Sequence, residues 1–162
     1  MKLYVNEKLF SLSHKFYIWD GNNNIIYEIS SEIISIGDKT IIMRYDGKKI
    51  AYIEQDLFYL TPHYKIFIYD KYVCDISRKF QIFDCDYLLD NGYRVDGDTF
   101  MLNFNIYDNQ NNLIGNIQRQ FISLGDKYEI NIYDEAKLEI ILSIIVANAN
   151  DINRRQRNNH RN

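Results

Sequence analysis

Residues 16–46 and 104–134 of this 162-residue chain are two copies of one segment. The first reads FYIWDGNNNIIYEISSEIISIGDKTIIMRYD and the second FNIYDNQNNLIGNIQRQFISLGDKYEINIYD. They align without a gap at a spacing of 88 residues, and fifteen of the 31 pairs are identical. Asp20 recurs as Asp108 and Asn23 as Asn111, and the Gly-Asp-Lys turns at 37–39 and 125–127 and the Tyr-Asp ends at 45–46 and 133–134 keep the same register. Such self-similarity marks one supersecondary unit used twice. The copies are expected to be structural equivalents, with Gly37-Asp38 and Gly125-Asp126 at matching hairpin turns.

Within and between the copies, apolar and polar residues alternate. Leu102, Phe104 and Ile106 fall on one face with Asn103 and Asn105 opposite, and residues 128–132 repeat the pattern, as a half-buried strand requires. Turn residues punctuate the chain at 20–24, 37–38, 46–47, 70–71, 96–97, 108–112 and 125–126. That spacing describes a meander of short antiparallel strands, hence a sandwich or a barrel. Residues 64–69, 72–83 and 93–95 read as further strands between the copies. A single proline and no Ser- or Gly-rich linker leave one domain.

After Asp134 the second copy changes character, to EAKLEIILSIIVANAN. Asp134 suits a helix N-cap, with Glu135 favouring the first turn. Ile140, Ile141, Leu142, Ile144, Ile145 and Val146 cannot share one stripe, so a helix here is apolar all round and must be buried all round. At about ten residues it falls far short of the roughly 20 that cross a bilayer. The spacing predicts a helix threaded through a closed or nearly closed β-structure, with Ile141, Leu142, Ile144 and Ile145 the most buried run. One more buried strand is the rival, on β-branched content. The domain is expected to span 1–152. Residues 153–162 read as a disordered basic tail whose removal leaves the melting temperature unchanged. Residues 151–162 carry four Arg and one Asp, +3, so a total of −3 leaves −6 on the body. An acidic body argues against nucleic acid as a partner of the fold itself.

Several motifs, none specific alone, carry a likeness by their order. They are Phe16-x-Ile18-x-Asp20, Ser35-Ile36-Gly37-Asp38-Lys39, Leu60-Thr61-Pro62-x-Tyr64-x-Ile66, Ser77-Arg78-Lys79-Phe80, Val95-x-Gly97-Asp98, Phe104-x-Ile106-x-Asp108 and Ser123-Leu124-Gly125-Asp126-Lys127-Tyr128. Over about residues 3–150 the chain resembles the LURP-one-related family, whose fold is similar to the tubby C-terminal domain and the scramblase-like fold. The resemblance implies a mainly β protein: a closed antiparallel barrel of about twelve strands, with a pseudo-two-fold internal repeat, around a central hydrophobic C-terminal helix. Tubby domains bind phosphoinositides through clustered basic side chains. The candidates here are Lys48, Lys49, Arg78 and Lys79, though the tubby lipid motif itself is missing. A calcium loop before the helix, proposed for scramblases, would have only Asp134 and Glu135, too few oxygens for that ion.

Catalytic patterns are scarce. Asp84, Asp86, Asp90, Asp96 and Asp98 form the densest carboxylate cluster, but Leu88, Leu89 and Val95 break the EF-hand pattern. His14, His63 and His160 are scattered and neither Cys74 nor Cys85 lies beside one, so no metal site, cofactor or catalytic residue is assigned. No P-loop, GxGxxG after a strand, GxSxG or HExxH occurs. The expectation is a non-catalytic binding or scaffold module in the cytoplasm, without a transmembrane span, whose partner is a phospholipid head group or a protein. Two alternatives stand beside it: an enzyme with a site built from barrel loops near 84–98, and weak nucleic-acid or membrane-surface association through the Arg-rich end.

Overall fold

The computed structural model describes residues 1–6, 15–32, 37–78, 87–99, 101–120 and 127–159. Twelve strands form: β1 (Lys2–Asn6), β2 (Lys15–Trp19), β3 (Ile25–Ser31), β4 (Lys39–Arg44), β5 (Lys49–Gln55), β6 (His63–Ile68), β7 (Lys71–Arg78), β8 (Tyr87–Leu89), β9 (Arg94–Asp98), β10 (Asn103–Tyr107), β11 (Leu113–Gln120) and β12 (Lys127–Ile132). A 3-10 turn at Glu135–Lys137 leads into one helix, α1 (Leu138–Asn159). Each strand pairs antiparallel with its sequence neighbours, and β1 closes the ring against β12 and β2. The period of two decides the faces. Leu3, Val5, Ile66, Ile76, Phe104 and Ile106 point inward and are buried, while Lys2, Lys65, Asp75 and Asn105 point outward. A polar exterior around an apolar interior is the inverse of a lipid-embedded barrel. Among the described residues no helix is long and apolar enough to cross a membrane.

The 88-residue register holds atom by atom at the first hairpin. Asp20 Oδ1 accepts the backbone N–H groups of Asn22 (2.8 Å) and Asn24 (2.9 Å); Asp108 Oδ1 accepts those of Gln110 (2.9 Å) and Asn112 (2.8 Å). Asn23 and Asn111 both adopt left-handed backbone, at φ 63° and 66°. The pairing shifts by one residue between Ile18 and Trp19 in one copy and between Ile106 and Tyr107 in the other. Gly37-Asp38 has its partner Gly125-Asp126 outside the described residues, so that turn is not compared. In the ring the copies lie eight strands apart out of twelve, a third of a turn rather than a half. The remaining third position falls on β6 and β7, whose hairpin carries a register shift of the same kind between Ile66 and Phe67.

The copies part company at one residue. Asp46 Oδ1 accepts the Lys48 N–H at 3.1 Å, and Asp134 Oδ1 the Ala136 N–H at 3.1 Å. Between them the first copy has Gly47 at φ +82°, which turns the chain back into β5. The second has Glu135, and the chain instead winds forward into the 3-10 turn and α1. The segment is thus a helix, and the strand alternative is set aside. Ile141, Leu142, Ile144 and Ile145 are all buried, in one core with the inward faces of the strands. Gly115 makes room for them: a Cβ there would sit 3.0 Å from Ile141 Cγ2 and 3.0 Å from the Asn131 carbonyl. Its counterpart in the first copy is Tyr27, whose side chain is buried.

One expectation is corrected. The helix is longer than about ten residues and runs past the expected domain end at 152 to Asn159, so residues 153–159 are helical rather than a disordered tail. Local composition misjudged it because the polar residues of this stretch have partners far away in sequence. Asn150 donates to Thr40 Oγ1 at 3.0 Å, and Arg157 to Asp38 Oδ1 at 3.0 Å.

Candidate functional site at the far end of the barrel

The direction of α1 distinguishes the two ends. At the near end, where it begins, Tyr69 donates to Glu139 at 2.8 Å, and the turns after β2, β4, β6 and β10 each carry an aspartate in their first two residues: Asp20, Asp46, Asp70 and Asp108. Lys137 joins this end of the helix to the second copy by binding Asp108 at 2.8 Å. That hydrogen bond, with those from Asn112 and Gln110, holds the buried Asp108 carboxyl well below the usual carboxylate range.

At the far end, where α1 leaves, Asp151 is wholly buried and its Oδ2 gathers two donors and a nearby guanidinium. Tyr87 donates its hydroxyl, Arg155 donates from the next turn of the helix, and Arg78 Nη1 lies at 3.6 Å. Arg155 also reaches the Tyr87 oxygen at 3.2 Å. Burial, and then the Asp151 charge, push the Tyr87 phenol far above its ordinary value, so it stays a donor. Burial likewise raises the Tyr64 phenol. This cluster fastens the helix end to β7 and β8. It has the character of a structural bolt: Oδ2 carries the contacts while Oδ1 is buried without a hydrogen-bond partner, and among the described residues no nucleophile with an adjacent base accompanies it.

Beside the bolt, the β5–β6 connection projects Leu57-Phe58-Tyr59-Leu60. Phe58 is 98% exposed and Leu60 104%, while Leu57 and Tyr59 are about half covered. This turn is braced. The Asp56 N–H donates to the His63 carbonyl at 2.8 Å, its Oδ1 accepts the Phe58 N–H at 3.0 Å, and its Oδ2 binds Lys65 at 2.8 Å. The Tyr59 ring stacks on His63 with centroids 3.9 Å apart and planes 9° off parallel, and His63 Nε2 in turn meets Asp75 Oδ2 at 2.8 Å. Leu57 leans on Gly37. Four apolar residues in a row on a held turn are unusual, because a soluble surface rarely presents them contiguously. Arg157 of the helix stands next to this tip, since it grips Asp38 and Asp38 shares hydrogen bonds with Gln55, two residues before Leu57.

The basic candidates do not converge. Lys48, 4.8 Å over the Tyr69 ring, and Lys49, paired with Asp70, sit together at the near end. Arg78 belongs to the far end and faces inward to Asp151. Lys79 lies outside the described residues, as do Asp84, Cys85, Asp86, His14 and His160. Of the remaining carboxylates in that cluster, Asp90 accepts from Tyr72 (2.9 Å) and the Asp75 N–H (3.0 Å), Asp96 pairs with Arg94, and Asp98 accepts from the Met101 N–H at 3.0 Å. Among the described residues no group of three or more His, Cys, Asp or Glu could hold a metal. Cys74 is buried, and burial pushes its thiol up to about 12. A cleft of about 270 Å³ lies outside the barrel, between Tyr4, Trp19, Gln120 and Lys127.

Sequence reasoning missed both the Tyr87–Asp151–Arg155 cluster and the tip. The first depends on residues 64 positions apart and left no local signal. The second had one: an apolar run between Asp56 and Pro62, where two strands need a turn.

A closed twelve-stranded meander whose C-terminal helix plugs its own barrel, repeated in register within the chain, defines the class. The chain belongs to the LURP-one-related family, whose model matches residues 1–149. It is 27% identical over 158 residues to the uncharacterized protein YxjI of Bacillus subtilis, covering 93% of this chain and 97% of that one. Its fold is also similar to an X-ray structure of a protein from Arabidopsis thaliana, with a TM-score of 0.60, 14% identity, and coverage of 89% and 88% of the two chains. The family match ends before Asp151 and Arg155, while Arg78 and Tyr87 lie within it.

Proposed function

We propose that this chain is a non-catalytic binding module of the LURP-one-related class, working on the cytoplasmic side of the cell, that meets its ligand from outside at the far end of the barrel. The exposure of Phe58 and Leu60 on a braced turn carries this reading, because a side chain held fully in water loses favourable free energy unless something covers it. The interior supports the same conclusion: α1 fills it, so recognition falls to the exterior. The enzyme alternative gains nothing from Asp90, Asp96 and Asp98, each of which completes a local turn or strand contact.

The test is photo-crosslinking in the native host from a benzoylphenylalanine placed at position 58 or, as the control, at Tyr45, which is 73% exposed on the near end. Adducts with lipid or protein are expected from 58 and few from 45. Equal yields from both, or none from 58, would overturn the reading.

A further inference from the structure

We propose that the cleft on the barrel wall beside Trp19 binds the guanidinium of an arginine that carries a free carboxylate, either the amino acid itself or the last residue of a chain. The site is separate from the 57–60 turn and does not rest on that reading.

The fold supplies its own comparison. Three places around the ring are equivalent, each an aromatic residue at a register shift: Trp19 on β2, Phe67 on β6 and Tyr107 on β10. Each has a cross-strand partner on the preceding strand: Tyr4 on β1, Tyr52 on β5 and Arg94 on β9. At two of the three, that partner covers the ring. Tyr52 lies against Phe67 with centroids 5.9 Å apart, and the Arg94 guanidinium lies 4.1 Å over Tyr107. At Trp19 the partner stands off. Among the described residues the indole has only Tyr17 as a ring neighbour, at 6.4 Å, and the cleft of about 270 Å³ opens between Trp19 and Tyr4.

The following turn decides which covering is the template. Trp19 and Tyr107 both lead into an aspartate-capped turn with an asparagine in left-handed backbone, Asn23 and Asn111, whereas Phe67 leads into Tyr69-Asp70. In the second copy Arg94 Nη2 donates to Asn111 Oδ1 at 2.7 Å, and Nη1 pairs with Asp96 at 3.3 Å. The register puts Asn23 and Asn6 at the corresponding positions of the first copy, and both line the cleft. Among the described residues no hydrogen bond engages either carboxamide. A ring face and two acceptors thus stand where they stand around Arg94, with Tyr4 in place of the arginine. A planar cation uses the face and donates in its own plane to both acceptors. Gly21 widens the entrance, since a Cβ there would meet nothing within 4 Å, while its second-copy counterpart Asn109 packs against Gly92.

Charge sets the other half of the ligand. Lys127, the partner of Asn6 on β12, lines the cleft, and no ion pair within the described residues engages its ammonium. Asp20 stands on the opposite rim, so the cleft carries one charge of each sign. A bare cation would be repelled by Lys127, whereas a ligand with both charges is held at both ends. Asn6 and Lys127 lie two residues along the strand from Tyr4 and Trp19, about 7 Å. An extended arginine separates its guanidinium and carboxylate by about as much.

Trp19 is the sole tryptophan, so its emission reads the site directly. L-Arginine titrated into the full chain should change that emission saturably, with a Kd of about 1 mM or tighter, and calorimetry should give the same constant. L-Citrulline, of the same length but uncharged at its planar end, should bind at least about tenfold more weakly. Agmatine, which lacks the carboxylate, should bind about fivefold more weakly. The tripeptide Gly-Gly-Arg separates the two sources: tighter binding than L-arginine assigns the site to a chain end, weaker binding to the amino acid. Tyr4→Arg gives the first copy the second copy's residue. It should fill the cleft and abolish calorimetric binding, with Tm at or above the parent's. Asn23→Gly keeps the left-handed turn and should weaken binding about fivefold. The proposal is overturned by the absence of a saturable response at about ten times the expected Kd. Citrulline binding as tightly as arginine would also overturn it, as would a folded Tyr4→Arg variant that binds like the parent. Agmatine binding as tightly as arginine would remove Lys127 and the carboxylate from it.

Discussion

Replacing Asp151 by Asn keeps the shape of the helix end and deletes its charge. In the native chain that carboxylate is fully buried, accepts from Tyr87 and Arg155, and forms an ion pair with Arg78. The amide would face two guanidinium groups and a hydroxyl with half the acceptor capacity and a donor of its own. Breaking a fully buried ion pair from one side costs about 3–5 kcal/mol. Here Arg78 and Arg155 keep 16% and 21% of their side-chain exposure, so water softens the loss to about 2–3 kcal/mol. For a domain of this size, that is a fall of roughly 4–12 °C in Tm. Equilibrium urea unfolding of the parent, Asp151→Asn, Arg155→Gln and the double variant measures it. The Arg155 change alone should cost less, because Arg78 and Tyr87 still hold the carboxylate. The double variant should fall short of the sum by about 1 kcal/mol or more. An Asp151→Asn variant within about 0.5 kcal/mol of the parent, or strictly additive costs, would refute the bolt.

Removing residues 153–162 takes away Arg155 and the Arg157–Asp38 contact, so Tm should drop by more than about 5 °C, where a solvated tail would have left it unchanged. Gly115→Ala places a methyl 3.0 Å from Ile141 and from a backbone oxygen and should cost about 1–3 kcal/mol in a chemical melt, while Gly115→Tyr, which restores the first copy's residue, should prevent folding. The Asp108 carboxyl titrates below its ordinary 3.8, so its contribution is complete above that pH and is lost as pH falls through the folded value. Asp108→Asn should therefore flatten the acid limb of the stability curve below 3.8, and Asp20→Asn, in the first copy's equivalent turn, where Asn24 and not a lysine leads the lowering, should flatten it less.

The repeat and the helix were legible because their causes are local. An aspartate that caps its own turn does so whatever surrounds it, which is why Asp20 and Asp108 reproduce one geometry 88 residues apart. Likewise, a run from Ile140 to Val146 without a polar face has nowhere to go but inside. The helix end was not legible. Asn150 and Asp151 look like the beginning of a solvated tail, and only the closed ring brings Thr40 and Tyr87 to meet them. The candidate site was less legible still. Lys48 and Arg78 are both basic residues at strand ends, and the sequence does not say that those ends point opposite ways. Phe58 resembles any core aromatic until its exposure is known.

Placing the plug last in the chain has a consequence for how the protein is made. Strands β1 to β11 can be synthesised in order, yet β1 has no partner on one side until β12 exists, and no inner face has its filling until α1 follows. Vectorial synthesis therefore holds a long curved sheet with an apolar concave side open for most of the chain's production time. The final step is a single late closure, in which β12 zips the seam and the helix after it fills the core. Chains that stop early present that concave side to one another, so translation that runs through to the end is itself a requirement for solubility.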